Sequence, residues 1–318
     1  MTTTAVRRQF KPPDSRRERL LRYVLRARLS ALFPRVMRPG VGVNLQRKFL
    51  RVLTALATFA PLGLQRRRLQ LGGVPCESTR HRSGSADLAV LYLHGGAFIS
   101  GSPATHRAIT GHLARALGGE VYAIDYRLAP EAGAPAALDD ALTAWRALLT
   151  QDWPAENVAV AGDSAGGNLA LQLALHAAAS GLPRPAAVLA FSPWADLSNA
   201  QLTALDRSDP LLTRDWLDQG SRMYRGSRAA DDPLVSPLSG DLRQLPPTLI
   251  QVGTEELLFA DAERLYAAGH EQQAPITLEV YQDYWHVFQV HAGVLSASTA
   301  AIRSGAEFIR RCSVGDLS

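Results

Sequence analysis

Val158-Ala159-Val160-Ala161-Gly162-Asp163-Ser164-Ala165-Gly166-Gly167-Asn168-Leu169 is the stretch that decides the fold. Its first four residues form a short apolar run without alternation, as a strand covered on both faces requires. From Gly167-Asn168-Leu169 onward a helical pattern opens and continues toward Ala179. Between the two lies Gly-x-Ser-x-Gly, which puts Ser164 on a tight strand-to-helix turn. Side chains flanking such a turn collide, and glycines at 162 and 166 relieve the crowding. The helix N-terminus behind the serine favours developing negative charge. The five-residue pattern is weak by itself; the strand before it and the helix after it give it weight. The plain alternative is a serine that merely caps the helix.

Outward from this turn the same rhythm repeats. Apolar runs at 88–93, 121–125, 158–161, 186–191, 248–252 and 276–281 are rich in Val, Ile, Leu and Ala and bounded by turn residues. Helical patterns lie between and after them at 106–117, 138–150, 168–179, 215–224, 261–270 and 294–310. Strand–helix alternation of this kind predicts a doubly wound, mostly parallel sheet with helices on both faces. The first ~70 residues break the rhythm. Two helical patterns, 16–32 and 44–59, flank a connection holding Pro34, Pro39, Gly40 and Gly42. A second irregular region, 198–247, carries five prolines around one helix. The expected organisation is a helical cap segment over 1–70 and a catalytic domain over 71–318, with 198–247 contributing to the cap.

The 318 residues suffice for one large domain with a full core. Apolar content of 47% with 20% charged residues is ordinary for a soluble globular chain. Cys76 and Cys312 match no metal-ligand spacing and no disulfide framework, which fits reduced thiols in the cytoplasm. The N-terminus is polar and basic, without the apolar run of a signal peptide, and the apolar stretch at 52–64 is too short to span a bilayer. A soluble, cytoplasmic protein is expected. The net charge of +5 hides an asymmetry: residues 1–70 hold 17 Lys and Arg against 2 acids, and the rest hold 17 against 27. With no aromatic platform or zinc pattern, a nucleic-acid partner is not expected. Arg22 and Arg26 with Leu21, Leu25 and Leu29 repeat at helical spacing, which would suit a membrane surface. The preferred expectation is a basic helix lying on the acidic body of the same chain.

Upstream of the serine, His94-Gly95-Gly96-Ala97-Phe98 follows the run Val90-Leu91-Tyr92-Leu93. Two glycines let backbone N–H groups approach an oxyanion; with the N–H of Ala165 they make a three-donor hole. A plain glycine-rich turn is the alternative. His94 is expected to organise the loop rather than to catalyse.

These motifs, with Asp125-Tyr126-Arg127-Leu128-Ala129-Pro130-Glu131 and Ser192-Pro193-Trp194-Ala195-Asp196-Leu197-Ser198, resemble the hormone-sensitive lipase family of bacterial esterases, in order from about residue 88 to 292. The resemblance implies an α/β-hydrolase fold and a carboxylic ester hydrolase acting on short- to medium-chain acyl esters through an acyl-enzyme. Lactone hydrolysis and N- or O-deacetylation use the same machinery, and a silent ligand binder of the same fold is a further reading. The family's His-x-Phe matches His286-Val287-Phe288, so His286 is the implied base, with His291 as its local rival. His106, His112, His176 and His270 fall inside helical patterns and are set aside. The acid belongs in the loop Gly253-Thr254-Glu255-Glu256-Leu257-Leu258-Phe259-Ala260-Asp261. Most of the family has aspartate there; one branch resembles the present V-G-x-x-E-x-L-L, which selects Glu256 over Glu255 and Asp261. Ala97 stands where a third glycine is frequent. Phe98, Tyr126 and Trp194 are candidate pocket residues. No ligand cluster, Walker loop or dinucleotide fingerprint occurs, so neither metal nor cofactor is expected. The implied assembly is a homodimer through the edge strand before the last helix.

Overall fold

The computed structural model describes residues 6–13, 15–84, 87–151, 153–203 and 209–313. Nine strands form one sheet: β1 (Val6–Phe10), β2 (Leu64–Leu71), β3 (Val74–His81), β4 (Ala89–Leu93), β5 (Glu120–Ile124), β6 (Val158–Asp163), β7 (Val188–Phe191), β8 (Thr248–Gly253) and β9 (Ile276–Tyr281). Their order is β1-β9-β8-β7-β6-β4-β5-β3-β2. All neighbours are parallel except β2 with β3 and β3 with β5. The helices are α1 (Arg16–Val36), α2 (Val43–Ala57), α3 (Arg107–Leu117), α4 (Ala136–Thr150), α5 (Ala165–Ala179), α6 (Arg214–Arg225), α7 (Phe259–Glu271) and α8 (Ser296–Ser313). This is the α/β-hydrolase fold.

The apolar runs lack alternation because both faces of the sheet are covered. Along β4, Leu91 and Leu93 join the core beneath α4, α5 and α7, while Val90 and Tyr92 join the core beneath α3 and α8. Each large apolar side chain so buried contributes about 1.5–3 kcal/mol.

Three strands escaped the sequence reading, all at the margins. β2 reads Leu-Gln-Arg-Arg-Arg-Leu-Gln-Leu, mostly exposed, and pairs with β3 across a turn at Gly72 and Gly73, both with positive φ. A glycine pair between two runs is a hairpin signal, but the arginines mask the strand. β1 is exposed throughout and pairs with β9. Charged, short edges of this kind resist pairing with other chains. The expected helical segment 1–70 is therefore helical only from Arg16 to Ala57; its flanks are strands of the main sheet. Residues 1–5, 14, 85–86, 152, 204–208 and 314–318 of the expected segments lie outside the described residues. The strand before the last helix, β9, is not the edge expected to carry a dimer: β1 covers it.

The two N-terminal helices are pinned to the body by buried polar contacts. On α1, Glu18 accepts from Tyr284 Oη at 2.9 Å and from Ser296 N and Oγ at 3.1 and 3.0 Å. Burial works against its charge, but these hydrogen bonds prevail and its pKa is lowered. On α2, Gln46 accepts from Trp216 Nε1 of α6 at 2.8 Å, and Arg47 makes a bidentate pair with Glu131. Arg47 also donates to Ile99 O and Ala129 O, on the loops after β4 and β5. Leu21, Leu25 and Leu29 face the body, as do Arg22 beside Asp283 and Arg26 against Glu255.

Candidate active site

Ser164 follows β6 directly and caps α5 in position only. Its φ of +55° and ψ of −119° are strained for a residue with a side chain, and that side chain makes no capping hydrogen bond. The alternative of a mere helix cap therefore fails. The conformation holds because the turn is fixed from both sides: Ser164 N donates to Phe191 O at 2.9 Å, and Trp194 N donates to Ser164 O at 3.1 Å. A Cβ on Gly166 would overlap Leu93 O, and one on Gly162 would overlap Gly166 O, so both glycines are sterically obligatory. Helix α5 begins at Ala165, three residues before the pattern suggested. As the first residue of the helix, Ala165 has an N–H with no intrahelical acceptor.

The loop after β4 passes beside the serine. Gly95 and Gly96 line the same cavity as Ser164, and among the described residues no hydrogen bond uses the N–H of either glycine. Ala97 and Phe98 take φ of +54° and +62°, so the residue standing for a third glycine adopts a glycine-like backbone at some strain. His94 stacks on Tyr126 with ring centroids 4.2 Å apart and is buried, which lowers its pKa to about 3. Tyr126 Oη donates to His94 O at 2.6 Å, bracing the loop from below.

His286 and Glu256 meet on the far side. His286 Nδ1 lies 2.6 Å from Glu256 Oε2, and Glu256 is fully buried. The other carboxylate oxygen accepts from Ser192 Oγ at 2.9 Å and Gly253 N at 2.6 Å, which fixes its orientation. Burial opposes the His286 cation, but the hydrogen bond and charge of Glu256, with Asp209 and Asp163 beyond, prevail and raise its pKa above 6.5. The two rival acids point elsewhere. Glu255 pairs with Arg26 of α1, and Asp261 accepts from Ala195 N and Asp196 N at 2.9 and 3.0 Å. His291 also lines the cavity; burial lowers its pKa to about 4, and its ring packs edge-on against Trp285 with centroids 5.7 Å apart.

Phe98, Tyr126 and Trp194 do not line this cavity. Phe98 stacks face to face on Tyr224 at 3.7 Å, and Trp194 Nε1 donates to Asn199 Oδ1 at 2.9 Å. All three lie in the core behind the site, the common fate of large aromatics with a satisfied polar tip. The wall is built instead by α1, α2 and the approach to α6: Leu29, Phe33, Leu50, Leu53, Leu211 and Trp216. The cavity measures about 120 Å3, and its lining is mostly apolar.

Two further carboxylates stand beside the site. Asp163 accepts from Tyr92 Oη at 2.6 Å and lies 3.2 Å from His106 Nε2. His106 is not within the helix but ends a 3-10 turn before α3, and it lines the cavity. Its Nδ1 faces Thr105 Oγ1 at 2.8 Å and Ser102 O at 3.2 Å, while Thr105 Oγ1 donates to Ser102 O at 2.8 Å. Both ring nitrogens therefore face acceptors, as an imidazolium requires. Burial opposes the His106 cation, but Asp163 prevails and raises its pKa; Asp163 in turn is lowered against burial, chiefly by His106. Asp209 accepts from Leu211 N, Leu212 N and Leu257 N, tying the cavity wall to the acid's loop, and burial pushes its pKa up to about 6. Asp209 falls in the irregular region 198–247, and nothing in the sequence there announces these contacts.

Known proteins resemble this chain in sequence and fold. A family model described as alpha/beta hydrolase fold matches residues 90–290. An acetyl-hydrolase of Streptomyces hygroscopicus is 40% identical over 223 residues, 70% of this chain and 75% of its own length. An esterase of Acinetobacter venetianus is 33% identical over 284 residues, 87% of this chain and 93% of its own. A crystal structure of an esterase from the bacterial hormone-sensitive lipase family superposes with a TM-score of 0.84 at 32% identity, covering 94% of this chain and 99% of that one. With the strained serine turn, the glycine loop and the buried His–Glu pair on one cavity, this chain belongs to the bacterial hormone-sensitive lipase family of α/β-hydrolases.

Proposed function

We propose that this serine hydrolase cleaves carboxylic esters through Ser164 as nucleophile, His286 as general base and Glu256 as the acid that orients it. The observation that carries the proposal is the shared cavity: Ser164 on its strained turn and His286, held by Glu256 at 2.6 Å, line one mostly apolar cleft. Ser164 Oγ attacks the ester carbonyl as His286 Nε2 takes its proton. The N–H groups of Gly95, Gly96 and Ala165 hold the oxyanion. Collapse expels the alcohol, which receives the proton from His286, and leaves an acyl-enzyme. Water then attacks that ester, gives its proton to His286, and releases the acid and free serine. The apolar wall favours uncharged acyl groups of short to medium length. Because one relative is named an acetyl-hydrolase, acetyl esters head the series of substrates to try; lactones and N-acetyl amides follow the same steps.

A fluorophosphonate probe tests the nucleophile. Labelling of the wild type that vanishes in Ser164→Ala is the expected result. An unlabelled wild type would instead favour a silent ligand binder.

A further inference from the structure

The same helices that wall the cavity carry an unusual outer surface. Every large apolar side chain that is exposed among the described residues lies between Val6 and Leu62. On α2 the outward stripe is Leu45, Lys48, Arg51, Val52, Leu56 and, just beyond, Phe59, at helical spacing. Leu56 is 75% exposed, Phe59 61% and Leu62 91%. One turn away, on the inward stripe, Leu53, Ala57 and Thr58 line the cavity. Helix α2 is thus apolar on both sides, although among the described residues only one side is packed against the body. The charge is just as segregated. Between Arg16 and Cys76 the only acid is Glu18, and it is buried. Arg16, Arg17, Arg28, Arg35, Arg38, Lys48 and Arg51 are exposed there. Exposed apolar residues rimmed by one sign of charge mark an interaction surface.

We infer that the outer face of α1 and α2 docks on an anionic lipid surface, with Val52, Leu56, Phe59 and Leu62 entering the interface and Lys48 and Arg51 meeting the headgroups. An amphipathic helix lying in the plane of the membrane has this composition. No helix among the described residues is long and apolar enough to cross a bilayer, so the contact is peripheral. A second copy of the chain is disfavoured as occupant, since it would set one cationic face against another. The acidic remainder of the chain, 17 basic against 27 acidic residues beyond position 70, is repelled by the same lipids and turns α2 toward them. Docking in this way puts the cavity wall at the lipid surface and gives membrane-dissolved esters a short path to Ser164. That last step rests on the catalytic proposal above; the docking does not.

The test is co-sedimentation with vesicles of phosphatidylcholine, alone and mixed with phosphatidylglycerol, at low and high salt. The wild type should pellet with the anionic vesicles at low salt and be released at high salt. Lys48→Gln/Arg51→Gln should lower its partition coefficient roughly thirtyfold, from about 1 kcal/mol per basic residue at the surface. Leu56→Ser/Phe59→Ser should lower it as well, while turnover of water-soluble p-nitrophenyl acetate is kept. A wild type that stays in the supernatant with anionic vesicles overturns the inference, as do variants that bind like the wild type. So does a dimer in sedimentation velocity that Leu56→Ser/Phe59→Ser converts to monomer, because the face then belongs to a second copy. Failure of fluorophosphonate labelling would sink the catalytic proposal alone and leave the vesicle result standing.

Discussion

Replacing Glu256 by glutamine keeps the side chain's shape and removes its charge, and the surroundings make both amide orientations bad. Glu256 presents one oxygen to His286 Nδ1 at 2.6 Å and the other to Gly253 N at 2.6 Å and Ser192 Oγ at 2.9 Å. If the glutamine turns its NH2 toward His286, Nδ1 must accept, the imidazole proton moves to Nε2, and the ring can no longer take the serine proton. If it turns its NH2 toward Gly253, two donors face each other in a buried site, at a cost of about 1–3 kcal/mol. Loss of the correct tautomer in a triad lowers kcat by about 10^4, or about 5–6 kcal/mol of barrier. The assay is kcat and KM on p-nitrophenyl acetate for the wild type, Glu256→Gln and Glu255→Gln. The last should change little, because Glu255 pairs with Arg26 on the far side of the loop. The pH profile supplies a second reading. His286 must be neutral to act, and its pKa is raised, so wild-type kcat/KM should fall as pH drops through a value above 6.5. Without the Glu256 charge that acidic limb should move downward. A loss below tenfold in Glu256→Gln, or an equal loss in Glu255→Gln, would refute the reasoning.

Three further outcomes follow from the geometry. His106→Gln leaves Asp163 buried without its counter-charge and should destabilise the fold by about 3–5 kcal/mol in urea unfolding; the double variant with Asp163→Asn should recover part of that loss, and no recovery would deny the ion pair. Gly166→Ala drives a Cβ into Leu93 O and should cost upward of about 4 kcal/mol or abolish soluble expression; a wild-type melting temperature would contradict the steric reading. Burial raises the pKa of Asp261 from 3.8 to about 7, so its contribution to stability is full below pH ~4 and lost as pH rises through about 7. Asp261→Asn, whose amide oxygen can still accept from Ala195 N and Asp196 N, should flatten that part of the stability–pH curve; an unchanged slope would rule it out.

The sequence was most legible where function is local. The serine turn needs its strand, glycines and helix within a dozen residues, and the glycine loop follows its strand directly, so both could be read without knowing how the chain packs. Glu255 and Glu256 differ by one position in a loop, and only the path of that loop decides which one reaches His286; resemblance to a branch of the family selected between them. The pocket was not legible, since its wall comes from α1, α2 and the segment before α6, distant in sequence from every motif. Phe98, Tyr126 and Trp194 adjoin the motifs, yet they serve the core. His106 was set aside as helical because a 3-10 turn and the following helix share one apolar pattern. β1 and β2 stayed hidden because exposed edge strands bury too little to carry an apolar run, and the arginines of β2 mimic a solvated helix face; β3 is buried but carries Glu77, Ser78 and Thr79 where an apolar run would stand.

The central claim is that Ser164 attacks esters from this cavity. Its most direct test is kcat/KM on p-nitrophenyl esters from acetyl to octanoyl, with Ser164→Ala as the control. Turnover that falls by about 10^6 in the variant, and that tails off as the acyl chain outgrows the apolar wall, is the predicted result. Turnover that survives in Ser164→Ala, or none on any chain length in a folded wild type, would contradict it.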